Sequence, residues 1–197
     1  MRNKSVKVLL VGGLVWLLVG CTTPQMASSE YLLMDNTPQV VINDARTRVN
    51  IQLLPIQVAD YLAGSEIVLL SKQGDVYRSQ QNLWAEPLSA QLNRLTMQGF
   101  TQRLPLTTWY RGNHSQVNDL LKLGIEVDAF YGDLEGQVHV SGRWTLFSAS
   151  GQIIRSKAFV VSEKLAASGY SALVQTLAQT WFQKVLDPIS KDVTYVL

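Results

Sequence analysis

The sequence predicts an α+β fold: a single domain with a mainly antiparallel sheet and two packed helices. Three observations carry this. Apolar and polar residues alternate at a period of two in the runs 125–131 and 138–146, and after the turn signals Gly132 to Gly136 and Ser150-Gly151 the segment 153–161 returns as a third strand. Leu88, Leu92, Leu95 and Gly99 recur at helical spacing, as does the wider stripe Tyr170, Leu173, Val174, Leu177, Ala178, Trp181, Val185 and Leu186. No repeat of fixed period and no break in composition divides residues 31–188.

Tyr31 to Met34 reads as a short strand. After the turn signal Asp35-Asn36-Thr37-Pro38, Gln39 to Ile42 is a second strand or a loop. In residues 48–54, Val49, Ile51 and Leu53 alternate with Asn50 and Gln52, and Pro55 limits how far that strand pairs centrally. Residues 66–71 and 76–79 flank the turn Lys72-Gln73-Gly74-Asp75 as a hairpin. Glu86 and Pro87 open a helix over about 86–98, because the first turn does not need the missing proline amide and its positive end favours a carboxylate. Gly99 is expected to stop it. Leu106 to Tyr110 reads as a strand, followed by a polar loop to Gln116. The second helix is expected over 170–186, ending before Pro188, with 189–197 a loosely held tail.

Ahead of the domain, Arg2, Lys4 and Lys7 precede an unbroken apolar and glycine run, Val8 to Gly20, that stops at Cys21. That order of parts is a secretory signal peptide. Its 13-residue core, as a helix, reaches only ~20 Å, short of the ~30 Å hydrocarbon layer. The junction Leu18-Val19-Gly20-Cys21 resembles the lipobox of bacterial lipoproteins, in which the cysteine thiol is acylated and the chain is cut before it. The expected organisation is a removed peptide over 1–20, a lipidated tether over 21–30, the domain over 31–188 and the tail over 189–197. In that class of signals an aspartate after the cysteine retains the protein at the inner membrane. Thr22 stands there instead, which implies the periplasmic face of the outer membrane.

Removal of residues 1–20 changes the charge. Three of the 17 Lys and Arg go with it, leaving 14 against 15 Asp and Glu. A nucleic-acid partner loses its electrostatic basis. The remaining 177 residues suit one domain with a proper core. With the lone cysteine acylated, no internal disulfide and no cysteine zinc site can form.

No G-x-S-x-G, S-x-x-K, H-E-x-x-H or phosphate-binding glycine pattern occurs. His139 falls on the polar face of its strand and His114 in a loop, so both read as solvated. Glu126 and Asp128 share a strand face; they could hold a cation or an acidic pair, or form the wet side of a sheet neutralised by Arg143 and Lys157. No catalytic residue, cofactor or metal is expected. Aromatic residues could line an acyl groove, but Trp144 and Trp181 sit on core-facing stripes. Phe130 shares its face with the acidic residues and is an exposed-aromatic candidate for a partner contact. Trp84 could serve likewise, or staple the first helix to the sheet.

Several segments resemble a known family, the ABC-type transport auxiliary lipoproteins. They are Leu53-Leu54-Pro55-Ile56 with Asp60-Tyr61-Leu62, Ile67-Val68, Trp84-Ala85-Glu86-Pro87-Leu88, Ile125-Glu126-Val127 with Phe130, and Tyr170 with Leu173-Val174. They run in the family's order over about 31–188, and the W-A-E-P-L segment is the most specific. Ala59 departs from the family's frequent proline. The resemblance implies a non-enzymatic envelope component that works beside an ABC transporter and docks a periplasmic MCE-domain protein, as a ring of several copies. Tyr61, Trp84 and Phe130 are the candidate partner contacts. The alternative is a lipid-binding or outer-membrane assembly lipoprotein acting on its own.

Overall fold

The computed structural model describes residues 27–36, 41–42, 49–112, 116–117 and 119–196. Within them the strands are β1 (Ser29–Tyr31), β2 (Asn50–Leu53), β3 (Gln57–Val58), β4 (Glu66–Leu70), β5 (Val76–Trp84), β6 (Thr108–Arg111), β7 (Leu121–Asp133), β8 (Gln137–Phe147) and β9 (Ile153–Lys164). The helices are α1 (Leu88–Arg103), α2 (Tyr170–Thr180) and α3 (Asp187–Val196), and a π-helical turn over Trp181–Leu186 joins α2 to α3. The signal-peptide head, Cys21, Thr22 and His114 lie outside the described residues.

The sheet is built on β7. One of its edges pairs antiparallel with β8, which pairs antiparallel with β9, so the expected meander is present. Its other edge takes three short strands in succession, all parallel: β2 beside Leu121 to Leu123, β3 beside Glu126 and Val127, and β4 beside Gly132 and Asp133. Beyond these, β6 runs parallel to β2, β5 antiparallel to β4, and β1 parallel to β5. The sheet is therefore mixed, which corrects the expectation of a mainly antiparallel one. Alternation within a strand fixes which face is buried, but it carries no information about the direction of the neighbour.

Apolar faces of the sheet and of all three helices meet in one core. α1 also supplies polar clamps. Buried Gln91 accepts a hydrogen bond from the Leu33 amide (2.8 Å) and donates to the Glu86 carbonyl (2.8 Å). Asn93 accepts from the Ile56 amide at 3.0 Å. Two segments without ladder partners are thus tied to one helix, as buried amides require.

Three expectations about the helices are corrected. Gly99 does not stop α1, which continues to Arg103. A β-carbon at Gly99 would lie 2.9 Å from Leu186 Cδ1 and 3.2 Å from Arg103 Nη1, so the glycine serves a close helix crossing. Pro188 does not end the last helical run. The π-helical turn, in which the Asp187 amide bonds five residues back to Phe182, widens the backbone ahead of the proline, which then occupies the first turn of α3. Finally, residues 189–196 are no loose tail: Ile189 and Val193 are fully buried, continuing the apolar stripe through Leu186.

Candidate functional site

The three aromatic candidates separate in the structure. Phe130 is buried, 6.4 Å from Trp84 and 6.1 Å from Trp181 between ring centres. The exposed position expected from alternation is overturned by a β-bulge: the register against β8 shifts between Val127 and Ala129, making Asp128 an extra residue. Each residue after the bulge changes face, so Ile125, Val127 and then Phe130 point inward. Gly142 of β8 stands opposite, where a β-carbon would collide with the Glu126 carbonyl and lie 2.7 Å from the Phe159 ring. Trp84, the last residue of β5, is buried as well, with its ring against Phe130.

Tyr61 alone of the three reaches the surface, half-buried on the turn Asp60–Leu62. Its hydroxyl donates to the Asp128 carbonyl at 2.7 Å, and its ring lies 6.4 Å from Tyr131. Burial above all, then Tyr131 and Asp128, pushes that hydroxyl up to about 12. It therefore remains a hydrogen-bond donor at neutral pH.

Tyr61 opens a row of side chains across the outer face. Tyr131, His139 and Ser162 are direct cross-strand neighbours on β7, β8 and β9. His139 stacks on Tyr131 at 5.2 Å. Its Nδ1 lies 2.9 Å from Ser162 Oγ and its Nε2 2.8 Å from Asp133 Oδ2. Asp133 also accepts from the amides of Glu135 (2.9 Å) and Gln137 (2.8 Å). Burial opposes the charge on Asp133, but the bonds from His139, Gln137 and Glu135 outweigh it and hold the carboxyl below its ordinary range.

His139 is thus not simply solvated, as the sequence suggested, but held at both ring nitrogens. Sequence reasoning placed it on the polar face yet missed its partners, because Asp133 follows the bulge and Ser162 comes from a strand whose register was open. The order Ser, His, Asp is that of a nucleophilic triad, which needs the serine to face a cleft with oxyanion donors. Neither Ser162 nor His139 lines the grooves described below. Elsewhere on this face Glu126 and Asp128 are exposed, and Glu126 stands opposite Arg143. Lys157, expected to neutralise them, turns to the other face and binds both oxygens of Asp192 at 2.6 and 2.7 Å. Among the described residues no group of three His, Cys, Asp or Glu could hold a metal ion.

Two grooves open beside this framework. One, of about 300 Å³, is lined by Leu69, Leu134, Leu165, Tyr170 and Leu173, with Asp133 at its lip. The other, of about 600 Å³, lies between Tyr31 to Asn36 and the α2 residues Ser171, Val174, Gln175 and Ala178. No helix among the described residues is long and apolar enough to cross a membrane.

The fold and this surface define a single-domain α+β protein with a mixed sheet, one helical face and an aromatic-polar row on the other. The chain belongs to the ABC-type transport auxiliary lipoprotein components, whose family model matches residues 31–187. It is 27% identical over 180 residues to the intermembrane transport lipoprotein PqiC of Escherichia coli K12, covering 90% of this chain and 92% of that one. The Shigella flexneri PqiC matches to the same extent. A solved structure of an uncharacterised protein superposes with a TM-score of 0.70 at 28% identity, covering 85% of this chain and 99% of that one. A Xanthomonas campestris protein shares the fold, with a TM-score of 0.70 over 86% and 96% of the two chains.

Proposed function

We propose that this protein is a lipid-anchored, periplasm-facing accessory of an MCE/ABC-type intermembrane lipid transport system, docking the periplasmic MCE protein at the outer membrane. The observation that carries this reading is the near end-to-end match to intermembrane transport lipoproteins. The head of the sequence supports it: a short apolar core that stops at Cys21 provides an acylation site, and anchoring by more than one acyl chain is stable. Tyr61 and its neighbours on the outer face present a rigid aromatic-polar surface of the kind that partner proteins bind. The alternative of a self-sufficient lipid binder loses most of its aromatic lining, because Trp84, Phe130, Trp144, Trp181 and Phe182 are core residues, while Trp109 and Tyr110, the other two aromatic candidates for it, are half-buried. Affinity purification of the full chain from its own cells should recover an MCE-domain protein, and Tyr61→Ala should reduce that recovery. Consistent absence of any MCE subunit would sink the reading.

A further inference from the structure

β1 pairs parallel with β5, Ser29 beside Asn82 and Tyr31 beside Trp84, so the chain enters β1 from the end at which β5 begins. Val76, the first residue of β5, stands six residues before Asn82, or ~20 Å along the strand. Cys21 stands eight residues before Ser29, a length that spans ~27 Å when extended. Continued in the direction of entry, that length carries the thiol just past the level of Val76. The tether thus aims its cysteine at one end of the sheet.

Three connections meet at that end: the turn 71–75 between β4 and β5, the turn 134–136 between β7 and β8, and the link 165–169 from β9 to α2. Leu70 pairs beside Asp133, Gln137 opposite Lys164, and Lys72 bonds Glu135 at 3.1 Å across the two turns. Large apolar side chains stand in the open here. Leu134 is 57% exposed at the tip of its turn, Tyr77 49% and Val76 45%. Leu69, opposite Tyr77 on the same face, joins Leu134, Leu165, Tyr170 and Leu173 around the groove of about 300 Å³. From Leu165 to Gln183 no residue is charged, so the wall that α2 gives this groove carries no ion that would resist leaving water. Exposed apolar side chains gathered beside a groove mark a surface that meets lipid or protein. The aim of the tether selects lipid.

We propose that this end of the sheet is a membrane-docking end, at which Leu134, Tyr77 and the rim of the groove settle among the headgroups of the phospholipid surface that holds the acylated Cys21. The proposal rests on the lipid-anchor part of the transport reading and on nothing else in it. Three apolar side chains are too few to hold a domain on a membrane unaided, but the anchor keeps them at high local concentration beside it. Tyrosine suits the headgroup depth, and Lys72 and Lys164 at the rim can lay their stems on apolar surface while their ammonium groups stay with the phosphates. The domain then stands with the turn between β8 and β9 pointing away from the lipid.

The test uses the full chain, purified with its anchor and reconstituted in vesicles of phosphatidylethanolamine and phosphatidylglycerol. Acylation consumes the lone cysteine, so an introduced thiol is the single site for a nitroxide label. Leu134→Cys and Tyr77→Cys put the label on the proposed end, and Ile153→Cys, apolar and 65% exposed at the opposite end, is the control. Collisions with oxygen, which concentrates in lipid, and with a water-soluble nickel chelate report depth. The labels at 134 and 77 should show a severalfold higher ratio of oxygen to chelate collisions than the label at 153. Leu134→Asp added to the Tyr77→Cys chain should abolish that rise without changing the melting temperature, because both positions are exposed. Labels at 77 and 134 that stay in water, or immersion of 153 instead, would overturn the proposal, as would low access to both reagents, the mark of a protein contact. A free thiol at position 21 of the unsubstituted chain would remove the anchor and the proposal together, an outcome distinct from an acylated chain whose labels remain in water.

Discussion

Arg103 is the most deeply buried charge among the described residues, with 1% of its surface exposed. Its Nε binds Asp187 at 2.5 Å, Nη1 and Nη2 reach the carbonyls of Gly99 and Phe182, and the guanidinium lies 5.6 Å from the Phe182 ring. One side chain thus joins α1 to the π-helical turn and to α3. Arg103→Ala leaves the largely buried Asp187 carboxylate unpaired, and denaturant titration should show a loss of about 3–5 kcal/mol. Phe130→Ala should cost a similar ~3–5 kcal/mol through its cavity. An exposed contact residue at that position would have cost less than ~0.5 kcal/mol. Asp133 gives a pH signature. Its carboxyl titrates below the ordinary 3.8 in the folded state, so the unfolded chain binds the proton first. Its stabilising contribution is full above that ordinary value and disappears as pH falls through the lower, folded one. Asp133→Asn should therefore melt lower at pH 7 and lose less stability than wild type as the pH falls through 3.8 and below. Equal slopes over that window would show that the His139 and amide bonds do not favour the charged form.

At the scale of elements, the C-terminal helical run shows how a local signal can be right about composition and wrong about extent. The stripe from Tyr170 to Leu186 marked the helix, and Pro188 was a sound reason to end it. The π-helical turn removes that reason, and the stripe continues through Ile189 and Val193 into the core. Deleting residues 188–197 should cost about 3–6 kcal/mol from those two side chains alone. It also leaves Lys157 without Asp192, and thermal melting of the truncated chain provides the measurement. The meander β7 to β9 was legible because each strand is long, alternation marks the first two and the turn at Ser150-Gly151 returns the third. The bulge at Asp128 was not, since an extra residue leaves no mark in the pattern beyond the acidic side chain it exposes. The polar row from Tyr61 to Ser162 was hidden for the same reason: its members come together only once bulge and register are set.

For the whole molecule, anchoring and folding are physically separate. The described domain needs no membrane to bury its core, while the proposed attachment depends on a single thiol outside it. Cys21→Ser should abolish acylation and shift the chain from the membrane to the soluble fraction without changing its melting temperature. Unaltered fractionation would remove the anchor from the account. The sequence by itself determined what depends on local order and on residue inventory: the signal-like head, one domain, the meander, the two helical stripes and the family they resemble. Only the tertiary structure decided the parallel strands along β7, the inward turn of Phe130, the burial of the last helix and the pairing of His139 with Asp133 and Ser162. Those features arise from contacts between residues far apart in the chain, where direction, register and a single inserted residue choose the neighbour and periodicity says nothing.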